Sequence, residues 1–174
     1  MRDSAALYWK LSAPAVVTLI LLLISTLPIG ALGGTGLYPL VVLMAIFYWG
    51  LFRPEAMPYW LVFALGLIQD VVCSAPLGVS SVVYLLFRML VARQQRLIGQ
   101  QVFMATWGAF GVMVLIASAM LWAGWSYVAG SRLPLQPSLA QWGITVVCYP
   151  AAHGLFNLLY ARLPSVRGAP RRTG

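Results

Sequence analysis

Asp70 is the only acid inside the long apolar stretches of this 174-residue chain, so chemistry is sought there first. A bare carboxylate in hydrocarbon costs at least about 2.5–3.5 kcal/mol on insertion scales, so it must be protonated, hydrated or paired. Counted at helical rise from the turn at 76–78, Asp70 lies about 9–12 Å deep and Arg88 about 15 Å deep. Two readings stand. Asp70 and Arg88 form an interhelical ion pair, or Arg88 snorkels towards the cytoplasm beside Arg93. A second constellation is Tyr149, His153 and Asn157 at i, i+4 and i+8, stacked on one helix face with Pro150 able to bend the segment. That seam faces a cavity or a partner helix, or it is a set of satisfied interhelical hydrogen bonds.

Neither constellation is equipped for catalysis. His153 has no companions for metal ligation, and Cys73 and Cys148 sit in apolar runs without ligand or disulfide spacing. No phosphate-cradling glycine loop, dinucleotide fingerprint or paired carboxylates appear. No catalytic residue, metal site or cofactor is expected, and the chain is read as binding something rather than converting it. Glu55, close to Arg53, reads as a solvated interface charge.

The elements that must position these residues follow from composition. The chain is 61% apolar and 8% charged, with a net charge of +8. Soluble domains run at about 45–50% apolar and about 25% charged. That balance excludes a water-soluble enzyme, a free nucleic-acid binder and a secreted disulfide scaffold, leaving an integral membrane protein. A span needs about 20 mostly apolar residues to cross about 30 Å of hydrocarbon. Six candidates occur, at 13–32, 37–52, 58–75, 77–92, 102–129 and 139–161. The first is longer than a signal-peptide core and lacks a small-x-small cleavage site, so it is read as retained. Residues 1–164 then form one six-helix domain, followed by a basic tail at 165–174.

Charge sets the orientation. Arg2, Lys10, Arg53, Arg93, Arg96, Arg162, Arg167, Arg171 and Arg172 fall on one side of six spans, while the opposite connections hold only Arg132. The positive-inside rule therefore puts both termini in the cytoplasm. Tyr8, Trp9, Trp49, Tyr59 and Trp60 mark that interface, and Trp122, Trp125, Tyr127 and Trp142 the other. The basic excess also suits anionic lipid headgroups, which the tail either touches as an anchor or leaves for a cytoplasmic partner. Nucleic acid is not expected as a partner. Small residues such as Ala105 and Ala109 in the fifth span permit close helix approach without marking any particular contact.

Phe63-Ala64-Leu65-Gly66-Leu67-Ile68-Gln69-Asp70-Val71-Val72, followed by Pro76-Leu77-Gly78, resembles the signature of the MreD family of rod-shape-determining membrane proteins. Length, six spans, Pro39 early in the second span, its aromatic end Phe47-Tyr48-Trp49, and the Tyr149-Pro150 pair extend the likeness. Cys73-Ser74-Ala75 departs from it, since members often carry a glycine there. The resemblance implies a non-enzymatic scaffold of the bacterial inner membrane, with a fold similar to the substrate-binding membrane subunits of energy-coupling-factor transporters. It also implies work with a MreC-like single-span protein and, through it, with MreB filaments, RodA and its transpeptidase in sidewall peptidoglycan synthesis. The alternative is a vitamin-binding importer subunit, but the AxxxA docking pattern of such subunits is missing from 13–32. An enzyme of lipid chemistry would need a polar cluster that this chain lacks. On the scaffold reading, Gly66 lets a neighbouring helix approach, Asp70 caps or hydrogen-bonds the following turn, and Gly78 adopts backbone geometry closed to other residues. Gly66, Asp70, Pro76 and Gly78 together are then expected to shape the outer face.

Overall fold

A computed structural model describes residues 14–23, 39–98, 103–131 and 134–162. The outer part of the first expected span, the glycines at 33–36, Arg132 and the tail at 165–174 lie outside these residues. Among the described residues the chain forms six α-helices and no strand: α1 (Pro14–Leu23), α2 (Val41–Phe52), α3 (Tyr59–Val72), α4 (Val79–Ile98), α5 (Phe103–Ala129) and α6 (Leu135–Arg162). A 3-10 turn at Pro54–Ala56 links α2 to α3.

The core is built around α2. Every residue from Val42 to Leu51 is buried, so this helix presents no face to its surroundings. A helix apolar on all sides belongs inside a bundle. α4 and α6 pack on it directly, and Phe110 of α5 meets Phe47 edge-on at 5.1 Å. Gly50 makes the α4 contact close: a Cβ there would stand 3.1 Å from Val91 Cγ1 and 3.5 Å from Arg88 Cδ. Pro39 and Leu40 set where α2 begins. Leu40 (φ −75°, ψ 68°) forms an inverse γ-turn in which Val41 N–H donates to Pro39 O at 2.8 Å. The Leu40 N–H donates to Thr145 Oγ1 on α6 at 2.9 Å.

Two helix pairs flank this centre. α3 and α4 meet backbone to backbone at Gly66, where a Cβ would collide with Ser81 Cα and lie 2.7 Å from Ser81 N. Ser81 Oγ completes the contact by donating to Phe63 O at 3.2 Å. α5 and α6 are joined by reciprocal indole bonds. Trp142 Nε1 on α6 donates to Gly111 O at 2.9 Å, and Trp107 Nε1 on α5 donates to Val146 O at 3.0 Å. Pro150 explains the second bond. Proline has no N–H, so the carbonyl four residues earlier, that of Val146, loses its helical donor, and the Trp107 indole replaces it. In lipid, helix association rests on such packing and hydrogen bonding, because acyl chains are as apolar as leucine.

Several helix ends depart from the expected spans. α2 starts at Val41 rather than 37, because the γ-turn after Pro39 delays it, and α6 starts at Leu135, four residues before 139. α4 runs to Ile98, past the expected end at 92, since Arg93, Gln94, Gln95 and Arg96 are good helix formers. Among the described helices, α5, at 27 residues, is the one both long and apolar enough to cross a membrane by itself. α2, with 12 residues, extends about 18 Å, and α3, with 14, about 21 Å. Backbone that stops short of an interface is tolerated where protein surrounds it, as it does α2.

The proline–indole arrangement yields a double-mutant test. Trp107→Phe strands the Val146 carbonyl and lowers stability by about 1–3 kcal/mol. In a Pro150→Ala background residue 150 regains its N–H, and the same substitution costs clearly less. Thermal unfolding of the four detergent-purified proteins measures the coupling; strictly additive effects contradict this account.

Candidate functional site

Asp70 lies at the C-terminal end of α3, fully buried (0% exposed) in the hairpin that leads to α4. The sequence ends α3 in a Schellman motif. Ala75 N–H donates to Asp70 O at 2.8 Å and Ser74 N–H to Val71 O at 3.3 Å. Ser74 takes the left-handed position at φ 52° that this motif requires and that glycine most often fills. Pro76 then opens a turn closed by Val79 N–H on Pro76 O at 3.4 Å, and Gly78 (φ 96°) leads into α4.

Gly78 has no side chain with which to cap the helix it precedes. The Asp70 carboxylate does so instead: Oδ2 accepts from Gly78 N at 2.7 Å and Oδ1 from Ser80 N at 3.3 Å. An acceptor from the preceding helix thus satisfies two of the four N–H groups left open at a helix start, where the helix dipole favours negative charge. One residue therefore closes both ends of the connection, through its carbonyl on the α3 side and its side chain on the α4 side. Gly124 of α5 packs against the same helix start, with Val79 Cγ1 only 2.6 Å from where its Cβ would be.

The Asp70–Arg88 ion pair is not formed. Arg88 stands eight residues beyond Ser80, about 12 Å further along α4. It turns instead to the α2–α3 connection: Nε donates to Met57 O at 3.2 Å and Nη2 to Pro54 O at 3.3 Å. The guanidinium sits 5.4 Å from the centre of the Tyr59 ring, a cation–π distance. Arg88 is 4% exposed, and its Nη1 has no partner. The side chain does not run out beside Arg93 either: it ends in protein, holding the α2–α3 turn.

The three residues of the α6 seam are not brought together as one surface. Tyr149 is buried and stacked on Phe110 at 4.0 Å, with its hydroxyl unpaired. His153 is half-buried among Tyr48, Phe103 and Tyr149, and its Nδ1 is also unpaired. Asn157 is exposed. Eight residues turn a helix about 80° past two full turns, enough to carry the seam from core to surface. No group of three or more His, Cys, Asp or Glu residues able to hold a metal occurs among the described residues.

Sequence reasoning missed Ser74, Ser80, Ser81, Trp107 and Thr145. Their signals were present: a residue after Gln69–Cys73 free to take positive φ, serines just inside a helix start, a tryptophan on the helix facing a proline. Each takes part in a bond that involves backbone on at least one side, which no side-chain constellation reveals.

Asp70→Ala strands two buried N–H groups and is expected to lower stability by about 2–4 kcal/mol. Asp70→Asn, whose amide keeps one acceptor oxygen, should recover part of this. Ser74→Gly relieves the left-handed penalty and should raise stability by about 1 kcal/mol. Thermal unfolding in detergent ranks the three; an Asp70→Ala protein as stable as the parent would contradict the capping role.

Neither the curated proteins nor the solved structures contain a match to this chain. A family model, that of rod shape-determining protein MreD, matches residues 6–132. The matched stretch spans α1 to α5 and includes the Asp70 hairpin, the Arg88 turn and the Gly66 contact. It covers well over half the sequence, and the chain therefore belongs to the MreD family of rod shape-determining membrane proteins.

Proposed function

We propose that this MreD-family chain is a non-enzymatic scaffold of the bacterial inner membrane, crossing it six times with both termini in the cytoplasm. It binds a MreC-like single-span protein and, through it, MreB filaments, RodA and its transpeptidase, to organise sidewall peptidoglycan synthesis. The family match over residues 6–132 carries this reading. The site geometry supports it. Asp70 and Arg88, the two buried charged side chains among the described residues, are committed to backbone groups at turns, leaving them to hold architecture.

A scaffold of this kind needs a surface for a partner's helix, and α6 offers one. Gly143, Val147, Pro150, Gly154 and Asn157 repeat at spacings of four and three, the period of a two-helix seam. All but the half-buried Gly143 are exposed, and open space surrounds both glycines. Asn157 has no hydrogen-bond partner among the described residues. Small residues admit a second backbone closely, and an amide can then bond across helices. Gly66 and Asp70 act indirectly, by fixing the hairpin whose Val71 and Leu77 face outward. Anionic lipids surround the arginine-rich cytoplasmic side.

Affinity purification from native membranes tests the proposal. The parent chain should retain a single-span protein. Asn157→Leu and Gly154→Leu should fold with unchanged thermal stability while recovery of that protein falls roughly threefold or more, the scale of one interhelical hydrogen bond. Undiminished recovery in both variants would move the interface off α6. A purified parent chain that retains no single-span protein would overturn the scaffold reading itself.

A further inference from the structure

Between α4 and α5 a groove of about 340 Å³ opens on the protein surface. Val83, Phe87 and Ala117 form its buried floor, and Met89 and Ile116 stand half-exposed on its rim. Arg93 is the one polar side chain on its wall, exposed and with no partner among the described residues. From Val83 to Arg93 the groove follows ten residues of α4, about 15 Å. That is half of a hydrocarbon layer about 30 Å thick, the depth of one leaflet. A transmembrane helix crosses the full layer and needs a trough about twice as long.

We propose that this groove holds one acyl chain of an anionic glycerophospholipid from the cytoplasmic leaflet, with its phosphate on the Arg93 guanidinium. The inference rests on the orientation proposed above, which places Arg93 at the cytoplasmic end. Charge complementarity selects the occupant. A guanidinium fork matches phosphate oxygens in geometry and sign, and the unbroken apolar wall beyond it suits an alkyl chain and little else. Met89 and the other flexible methionines of the lining, Met113 and Met120, allow the groove to follow chains of different unsaturation.

Native mass spectrometry of the purified full chain, titrated with dioleoylphosphatidylglycerol or dioleoylphosphatidylcholine, separates headgroup from chain. The parent should retain the anionic lipid about fivefold better, the effect of one cation facing an anionic headgroup. Arg93→Gln should bring that lipid down to the level of the zwitterionic one, whereas Arg53→Gln should leave the preference intact. Ile116→Trp, which fills the groove from its exposed rim, should lower retention of both, with thermal unfolding confirming a folded protein. An undiminished preference in Arg93→Gln overturns the proposal. So does loss of a bound protein from Ile116→Trp with lipid retention unchanged, which would assign the groove to a partner helix. In a Cys73→Ser, Cys148→Ser background, which removes the two native thiols, labelling of an Arg93→Cys protein from the cytoplasmic side supports the leaflet, and labelling from the other side refutes it. Partner recovery on α6 is read separately, so failure of lipid selectivity leaves the scaffold reading standing.

Discussion

In an apolar solvent, a backbone N–H or C=O left open by a turn, a proline or a helix end must find its partner inside the protein. That requirement explains the polar side chains that tie the helices together. Asp70 accepts from Gly78 and Ser80, and Arg88 donates to Pro54 and Met57. Thr145 accepts from Leu40, Trp107 and Trp142 donate to carbonyls across the α5–α6 contact, and Ser81 donates to Phe63. In each of these contacts a side chain serves backbone rather than another side chain.

Two rigid units result, arranged on α2. The α3–α4 hairpin is tied at one end by Asp70, pressed together at Gly66, and anchored by Arg88 to the turn that precedes it. The α5–α6 pair is clasped by two indoles running in opposite directions. Both units press on a helix with no free face, so displacement of either is felt in the core. What remains for other molecules is the outside: a seam of small residues on α6 and a groove between α4 and α5.

Much of this was legible in the sequence. Among the described residues, helices lie where apolar runs were found, because such runs and their breaks follow what the chain must bury. The role of Asp70 as a cap for the following turn was readable from Asp70 and Gly78, since a glycine helix start lacks a cap of its own. Of the two readings of Arg88, the Asp70 pairing fails because charge invites a charged partner, whereas a turn presents carbonyls and N–H groups that no residue type announces. The α6 seam was misjudged for a geometric reason: three residues four apart drift around a helix, so Tyr149 and Asn157 share a stripe on paper and not in space. Lengths were least legible, because a γ-turn at Leu40 and a left-handed Ser74 shorten elements by local backbone choices that hydropathy does not see.

The bond between Leu40 and Thr145 joins residues 105 apart in the chain. During synthesis, α2 emerges long before the helix that completes its surroundings, and at 12 residues it is too short to lodge stably across a bilayer unaided. Its final seat exists once α6 has been made. The native core is therefore closed by α6, the last of the described helices, which also carries an exposed seam of small residues on its outer side.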